Sequence, residues 1–324
     1  MSDITKTPFV RDLASSDKKI RDKATDSLAL FLRSKTDLTL IELLKLWKGL
    51  FFCFYHSDRP LTQQTLARTL SYSLVPTLPR TTLHRFLRAF WITIGRDFHS
   101  LDRLRLDKYL FLIRCYVGVA LSIFIKPQPA TSTSTSTAAN GGKRKRDESS
   151  KKRNNNKKNK KQTQQQEAEA EAEAEDTAPT TETGSEKWAA LESYITILEE
   201  GPLCPLNFDP DQPPLNEAEN YVPMPHGPDG LRYHVLDIWV DEVEKVLEFD
   251  ETETEGGERK PKGEVPIELL LRPIEKLKAE SPYKPVRTRA AETLEDERLF
   301  EWGFRERKVE SEDEESEEEW GGFD

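Results

Sequence analysis

Between Leu38 and Pro60 the chain reads LTLIELLKLWKGLFFCFYHSDRP, and its apolar residues fall at helical intervals. Leu40, Leu44, Trp47, Phe51 and Tyr55 make one stripe; Leu43, Leu46, Leu50 and Phe54 make a second. One stripe suits a surface helix, whereas two require neighbours on both sides. Thr39 or Asp37 can cap the start, and Pro60 ends the run by disfavouring a helical Arg59.

The flanking segments supply candidate neighbours. Ile20, Ala24, Leu28, Phe31 and Leu32 form a stripe after a Ser16 or Asp17 cap. Leu61, Leu66, Leu70 and Leu74 form another before Pro76 and Pro79. These two segments, 20–32 and 61–74, are expected to flank the central helix. Leu83, Phe86, Leu87, Phe90, Trp91 and Ile94 predict a helix over 80–98, and 101–125 predicts the longest one. Beyond residue 185, helices are expected over 186–199, 231–249, 265–280 (kinked or divided at Pro273) and 285–300, with an ordered Pro-rich loop over 202–230.

Every periodic segment is helical and no stretch alternates as a strand does. Consecutive helices with short links pack as antiparallel neighbours, so the fold class is all-α. Burial on several sides favours a stack of helix pairs of the HEAT or armadillo kind over a compact bundle. Tyr109–Ile125 is apolar for nearly a membrane span, but Arg114 interrupts it, and it reads as a buried helix without a membrane partner.

Composition divides the chain. Residues 1–126 carry 21 Lys/Arg against 11 Asp/Glu, and 162–324 carry 16 against 45. The expected organisation is a basic helical domain over 1–126, a low-complexity disordered linker over 127–185, a helical part over 186–309 that packs on the first, and an acidic disordered tail over 310–324. Cys53, Cys115 and Cys204 show no metal or disulfide spacing and read as reduced core residues. The first residues contain no apolar secretory run.

The linker holds the strongest candidate signal. Lys143, Arg144, Lys145 and Arg146, then Lys151, Lys152 and Arg153, then Lys157, Lys158, Lys160 and Lys161 are cations that a nuclear import receptor or an RNA backbone attracts. A second candidate is the basic set Arg80, Arg85, Arg88, Arg96, Arg103, Arg105, Lys108 and Arg114, interleaved with Trp91, Phe98 and Tyr109. The competing reading makes these residues ordinary solvent faces paired with Asp97, Asp102 and Asp107. Lys45, Lys48, His56, Asp58, Arg59, Arg96, Arg103, Arg105 and Lys108 form the candidate partner surface. His56 with Asp58, and His99 with Asp97 and Asp102, sit in no HExxH, zinc or phosphate-loop spacing; helix capping is the expected role. No catalytic residue, cofactor, metal or small-molecule substrate is expected.

KLWKGLFFCFYHSDRPLTQQTLA (45–67) and FLRAFWITIGRDFHSLDRLRLDKYLFLIR (86–114) resemble the nucleolar ribosomal RNA-processing protein 1 family. LWKGLF, HSDRP and LDRLRLDKYLFLIR carry the likeness; VPMPHGPDGLRYHVLDIWVDEVEKV (222–246) and PIELLLRP (266–273) resemble the family's second part. Phe98, where a Trp-containing version is expected, and the long insert depart from the pattern. The resemblance implies an all-helical, non-enzymatic assembly factor of the large ribosomal subunit, located in the nucleus and nucleolus. Its partners would be precursor RNA, ribosomal proteins and other assembly factors. The alternatives are a solenoid-type nuclear adaptor and an RNA-processing enzyme.

Overall fold

The computed structural model describes residues 8–126, 184–249 and 259–306. The basic run at 143–161, the rest of the low-complexity segment up to 183 and the acidic tail lie outside the described residues. Helices α1 (Pro8–Leu13), α2 (Lys18–Ser34), α3 (Leu40–Tyr55), α4 (Pro60–Arg68), α5 (Arg80–Asp97) and α6 (Arg103–Ile125) precede residue 127. Helices α7 (Gly184–Glu200), α8 (Asp229–Glu244), α9 (Ile267–Glu280), α10 (Lys284–Leu294) and α11 (Glu297–Glu301) follow. No strand longer than an isolated bridge occurs among the described residues, and the fold is all-α.

The helices form two layers. α1, α3, α5, α7 and α9 touch in succession, as do α4, α6, α8 and α10. Within these layers α3 runs parallel to α5, and α6 to α8. Arg85 meets the Leu38 carbonyl at one end of the α3–α5 pair, and Lys48 meets Asp97 at the other. Leu110 and Arg114 of α6 likewise meet His234 and Asp241 of α8. Between layers the direction reverses: His84 stacks on Phe124, and Phe90 on Tyr116. Helices thus pack on the next-but-one element within a layer, and the consecutive pairs α1–α2 and α9–α10 pack closely as well, the arrangement of a HEAT-like stack of helix pairs. α7 sits against both α5 and α6, with Tyr194 beside Phe124 and His84 Nε2 2.8 Å from the Ala190 carbonyl. The stack that reaches α6 thus resumes at α7.

The central helix α3 is buried on both faces, as its two stripes require. Its principal neighbours are not α2 and α4 but α5 and then α1, and aromatic side chains of α6 also reach it. Trp47 packs on Phe86, Phe90 and Tyr116, and Phe51 packs on Tyr109. α2 meets α3 near its end, where Arg21 donates to the His56 carbonyl. Ile20 and Leu61, expected inside, are exposed (43% and 79%). α4 passes into a π turn at Thr69–Ser73, so the 61–74 segment is not one regular helix. α9 runs unbroken through the buried Pro273. The segment 285–300 is two helices, divided where Asp296 caps α11 by accepting from Arg298 N.

α6 is long and apolar enough to cross a membrane, but α4, α7 and α8 pack along it. Its contact with α8 depends on a missing Cβ. An added Cβ at Gly118 would lie 2.5 Å from both Glu242 Oε2 and Tyr72 OH. Glu242 is buried and accepts from Arg114 Nε and Lys245 Nζ, each at 2.6 Å. Burial, and then the Glu242 charge, push the Tyr72 hydroxyl up to about 12. Gly118→Ala is expected to cost about 3 kcal/mol in urea unfolding, because the carboxylate must move off its arginine. Gly49→Ala meets first the flexible end of Leu13, at 3.1 Å, and should cost less. Equal, small effects from the two variants would contradict this account.

Candidate partner surface

The motif-rich corner is built from the two ends of α3. At the start, a capping box closes the first turn: Thr39 Oγ1 accepts from Glu42 N, and Glu42 Oε2 accepts from Thr39 N. The Leu40 N–H, another free donor of that turn, is taken by Asn220 Oδ1 at 2.6 Å. Asn220 has φ 54°, a left-handed conformation that asparagine tolerates better than most residues. The Pro-rich loop therefore straps onto the stack. Its Val222 carbonyl accepts from Arg88, Tyr221 lies under the same guanidinium, and Pro225 closes on Gly95.

At the other end, His56 is the C-cap residue of α3, and Pro60 occupies the first turn of α4. Proline is suited there because its missing N–H would have no helical partner. The turn between them is held from α6. Lys108 Nζ donates to the carbonyls of Tyr55 (2.8 Å) and Ser57 (3.0 Å) and lies 3.4 Å from Asp58 Oδ1. Its side chain is only 3% exposed. Burial lowers the Lys108 pKa, against the pull of Asp58. Lys108 is thus an internal staple, not the surface cation expected from its position in a basic run. Arg105 stacks over Tyr55 at 4.2 Å and bonds Asp102, with Asp58 at 3.8 Å. Tyr109 OH donates to the Phe51 carbonyl at 2.8 Å.

Lys48 pairs with Asp97 at 2.9 Å and lies over the Phe51 and Phe52 rings. Arg96 meets the same carboxylate at 3.2 Å. Burial opposes ionisation of Asp97, but hydrogen bonds from Arg96 and Lys48 outweigh it and hold the carboxyl below its ordinary range. Lys48 is therefore not a free cation. Lys45, Arg59 and Arg103 are exposed and engage no carboxylate among the described residues. The first turns of α4 and α6 also expose Leu61 and Leu104, the latter at 90%. These two leucines were not singled out as surface residues from periodicity. The signal that could have found them is their place in the first turn of a helix, outboard of its packed length.

Much of the wider basic set is consumed internally. Arg85 donates to the Leu38 carbonyl, Arg88 pairs with Glu200 at 2.6 Å, and Arg114 bridges Asp241 and Glu242. The carboxylates of Arg88 and Arg114 come from the far part of the chain, so local spacing could not reveal them, whereas Arg96 and Arg105 pair with the nearby Asp97 and Asp102. His99 lies in a single 3₁₀ turn, Phe98–Ser100. Among the described residues no group of His, Cys, Asp and Glu is arranged to hold a metal ion. The three cysteines are free, and burial pushes the Cys115 thiol up to about 11, which disfavours its nucleophilic form.

Comparison with known proteins follows the same motifs. The profile of the Nop52 nucleolar protein family matches residues 4–139 and 182–321. The human ribosomal RNA processing protein 1 homolog B is 42% identical over 111 residues, 33% of this chain and 15% of the relative. The human homolog A is 38% identical over 116 residues, 34% of this chain and 25% of the relative. The Dictyostelium discoideum homolog is 33% identical over 106 residues, covering 32% of this chain and 21% of the relative. The matched segment is therefore a quarter or less of each of these relatives. With both halves of the helical stack inside the family match, the chain belongs to the Nop52 family of nucleolar proteins, the ribosomal RNA-processing protein 1 family.

Proposed function

We propose that the chain is a non-catalytic factor of ribosomal RNA processing that acts as a helical scaffold in precursors of the large ribosomal subunit. The observation that carries the reading is the use made of the family motifs. HSDRP, LDRLRLDKY and VPMPHGPDG are spent on holding helices and turns to one another through Lys108, Arg105, Tyr109, Val222 and Pro225. What they leave outside are the exposed cations Lys45, Arg59 and Arg103 and the exposed leucines Leu61 and Leu104. Cations beside exposed leucines suit a partner within a ribonucleoprotein particle. The run Lys143–Lys161 serves nuclear import and auxiliary RNA contact in this reading.

The test is depletion followed by replacement with Lys45→Glu/Arg59→Glu/Arg103→Glu. Depletion is expected to make large-subunit precursor RNA accumulate; normal precursor levels would sink the assembly role. The triple variant should melt like the parent, because the three side chains are exposed, yet associate with precursor particles about tenfold more weakly. Unchanged association would move the partner surface elsewhere. Crosslinking in purified nucleolar particles separates RNA contacts from protein contacts.

A further inference from the structure

The loop between α7 and α8 presents apolar side chains to solvent. Leu206 is 39% exposed, Phe208 77% and Leu215 53%. A phenylalanine so exposed gains little from folding, and three exposed apolar side chains on one loop point to an interaction site.

The loop is nevertheless held in place. Arg232, fully buried, donates to Asn207 Oδ1 at 2.9 Å and to the Cys204 carbonyl at 2.8 Å. Gln212 Nε2 reaches the Met224 carbonyl at 2.7 Å. Asn216 and Tyr221 exchange backbone hydrogen bonds of 3.0 and 2.9 Å. Asp211 N donates to Asp209 Oδ1, and Asn220 ties the loop to α3. Phe208 is thus displayed between fixed points, and a partner meets a surface whose ordering cost is already met.

The surroundings decide what kind of partner fits. Asp209, Asp211, Glu217 and Glu219 lie on this loop, and no Lys or Arg occurs between Pro205 and Tyr221. None of the four carboxylates has an ion pair among the described residues. A phosphate backbone would be repelled here. The chain's own basic run at 143–161 offers cations but no large apolar side chain to cover Phe208.

We infer that the loop Pro205–Glu219 is a docking surface for a basic protein segment that carries apolar side chains. It is distinct from the cationic corner at α3, α4 and α6, and it selects the opposite charge. Leu206, Phe208 and Leu215 bind the partner's apolar groups, while the carboxylates fix its sign and register.

The experiment uses the full chain and short fluorescent peptides followed by anisotropy. One peptide alternates lysine with leucine, one lysine with serine, and one glutamate with leucine; poly-uridine is the RNA probe. The Lys–Leu peptide should bind, and Leu206→Ser/Phe208→Ser/Leu215→Ser should weaken it about tenfold with no change in melting temperature. The weaker Lys–Ser peptide should not respond to the variant. Equal binding of the Lys–Leu peptide by variant and parent overturns the proposal. So does equal affinity for the Glu–Leu peptide, or poly-uridine binding that is lost in the variant. Replacement of 143–161 by glycine and serine is a further arm. Tighter peptide binding there would show the chain's own basic run occupying the loop, and would overturn the inference of a separate partner.

Discussion

Trp47→Ala is expected to destabilise the stack by about 4 kcal/mol, the largest single-residue effect in the N-terminal half. Trp47 is 1% exposed and sits where both layers meet. Its ring lies 5.1 Å from Phe86 and 5.0 Å from Phe90 in α5, and 5.2 Å from Tyr116 in α6. Its Nε1 donates to the Phe86 carbonyl at 3.1 Å, at a helix position whose carbonyl remains open to a second bond. Alanine removes the aromatic contacts together and leaves a cavity that α3, α5 and α6 cannot all close. Trp47→Phe keeps most of the ring contact and loses the hydrogen bond, so it should cost roughly half as much. Urea unfolding of both variants is the measurement. A loss below about 1 kcal/mol for the alanine variant would mean that the three helices do not share this contact.

Arg232→Met is expected to cost about 3 kcal/mol, concentrated in the strap loop rather than spread through the stack. The guanidinium is fully buried and collects Asp229 Oδ1 at 2.5 Å with Asn207 Oδ1 and the Cys204 carbonyl. Methionine fills part of the volume but leaves a buried carbonyl and a side-chain amide without their donor. Asp229 is half exposed and can rehydrate, which keeps the loss at the lower end for a broken buried pair. Hydrogen exchange should show faster opening of amides 204–212 with α3 and α5 unchanged. Uniform acceleration across the molecule would show that Arg232 supports the whole fold instead. The variant would also release Phe208 from its fixed display, and so should weaken the Lys–Leu peptide through flexibility rather than through lost contact.

The helical character of nearly every segment was legible along the chain, because periodicity and capping are local. Thr39 and Glu42 stand at capping-box spacing, and the double stripe of Leu38–Tyr55 stated that this helix is covered on two sides. Periodicity also predicted too much burial at element ends. Leu61 belongs to its stripe but projects from the first turn of α4, beyond the neighbour that covers the rest. Ile20 stands in the same position at the start of α2. A stripe states which face is apolar, not how far the facing helix extends.

The candidate surface was legible in part. Lys45, Arg59 and Arg103 are the outward cations that their positions suggested. Lys108, Lys48 and Arg105 looked equivalent, but Lys108 is buried against carbonyls and the other two are engaged by carboxylates and aromatic rings. Distinguishing the two groups requires knowing which carbonyls and carboxylates come within reach after folding. Lys108 reaches carbonyls some fifty residues earlier, and Arg114 reaches carboxylates of α8.

The amino-acid sequence alone therefore determined the all-helical class, the double burial of Leu38–Tyr55 and the family of the chain, since these rest on spacing and on words such as LWKGLF and HSDRP. The tertiary structure decided the partners of that helix, the burial of Lys108, and the fixed display of Phe208 by Arg232 and Asn220. The physical reason is that a helix in a two-layer stack packs on the element after next as well as on its chain neighbours, and hydrogen-bond partners are chosen by proximity in space. Neither quantity is written in the local period of apolar residues.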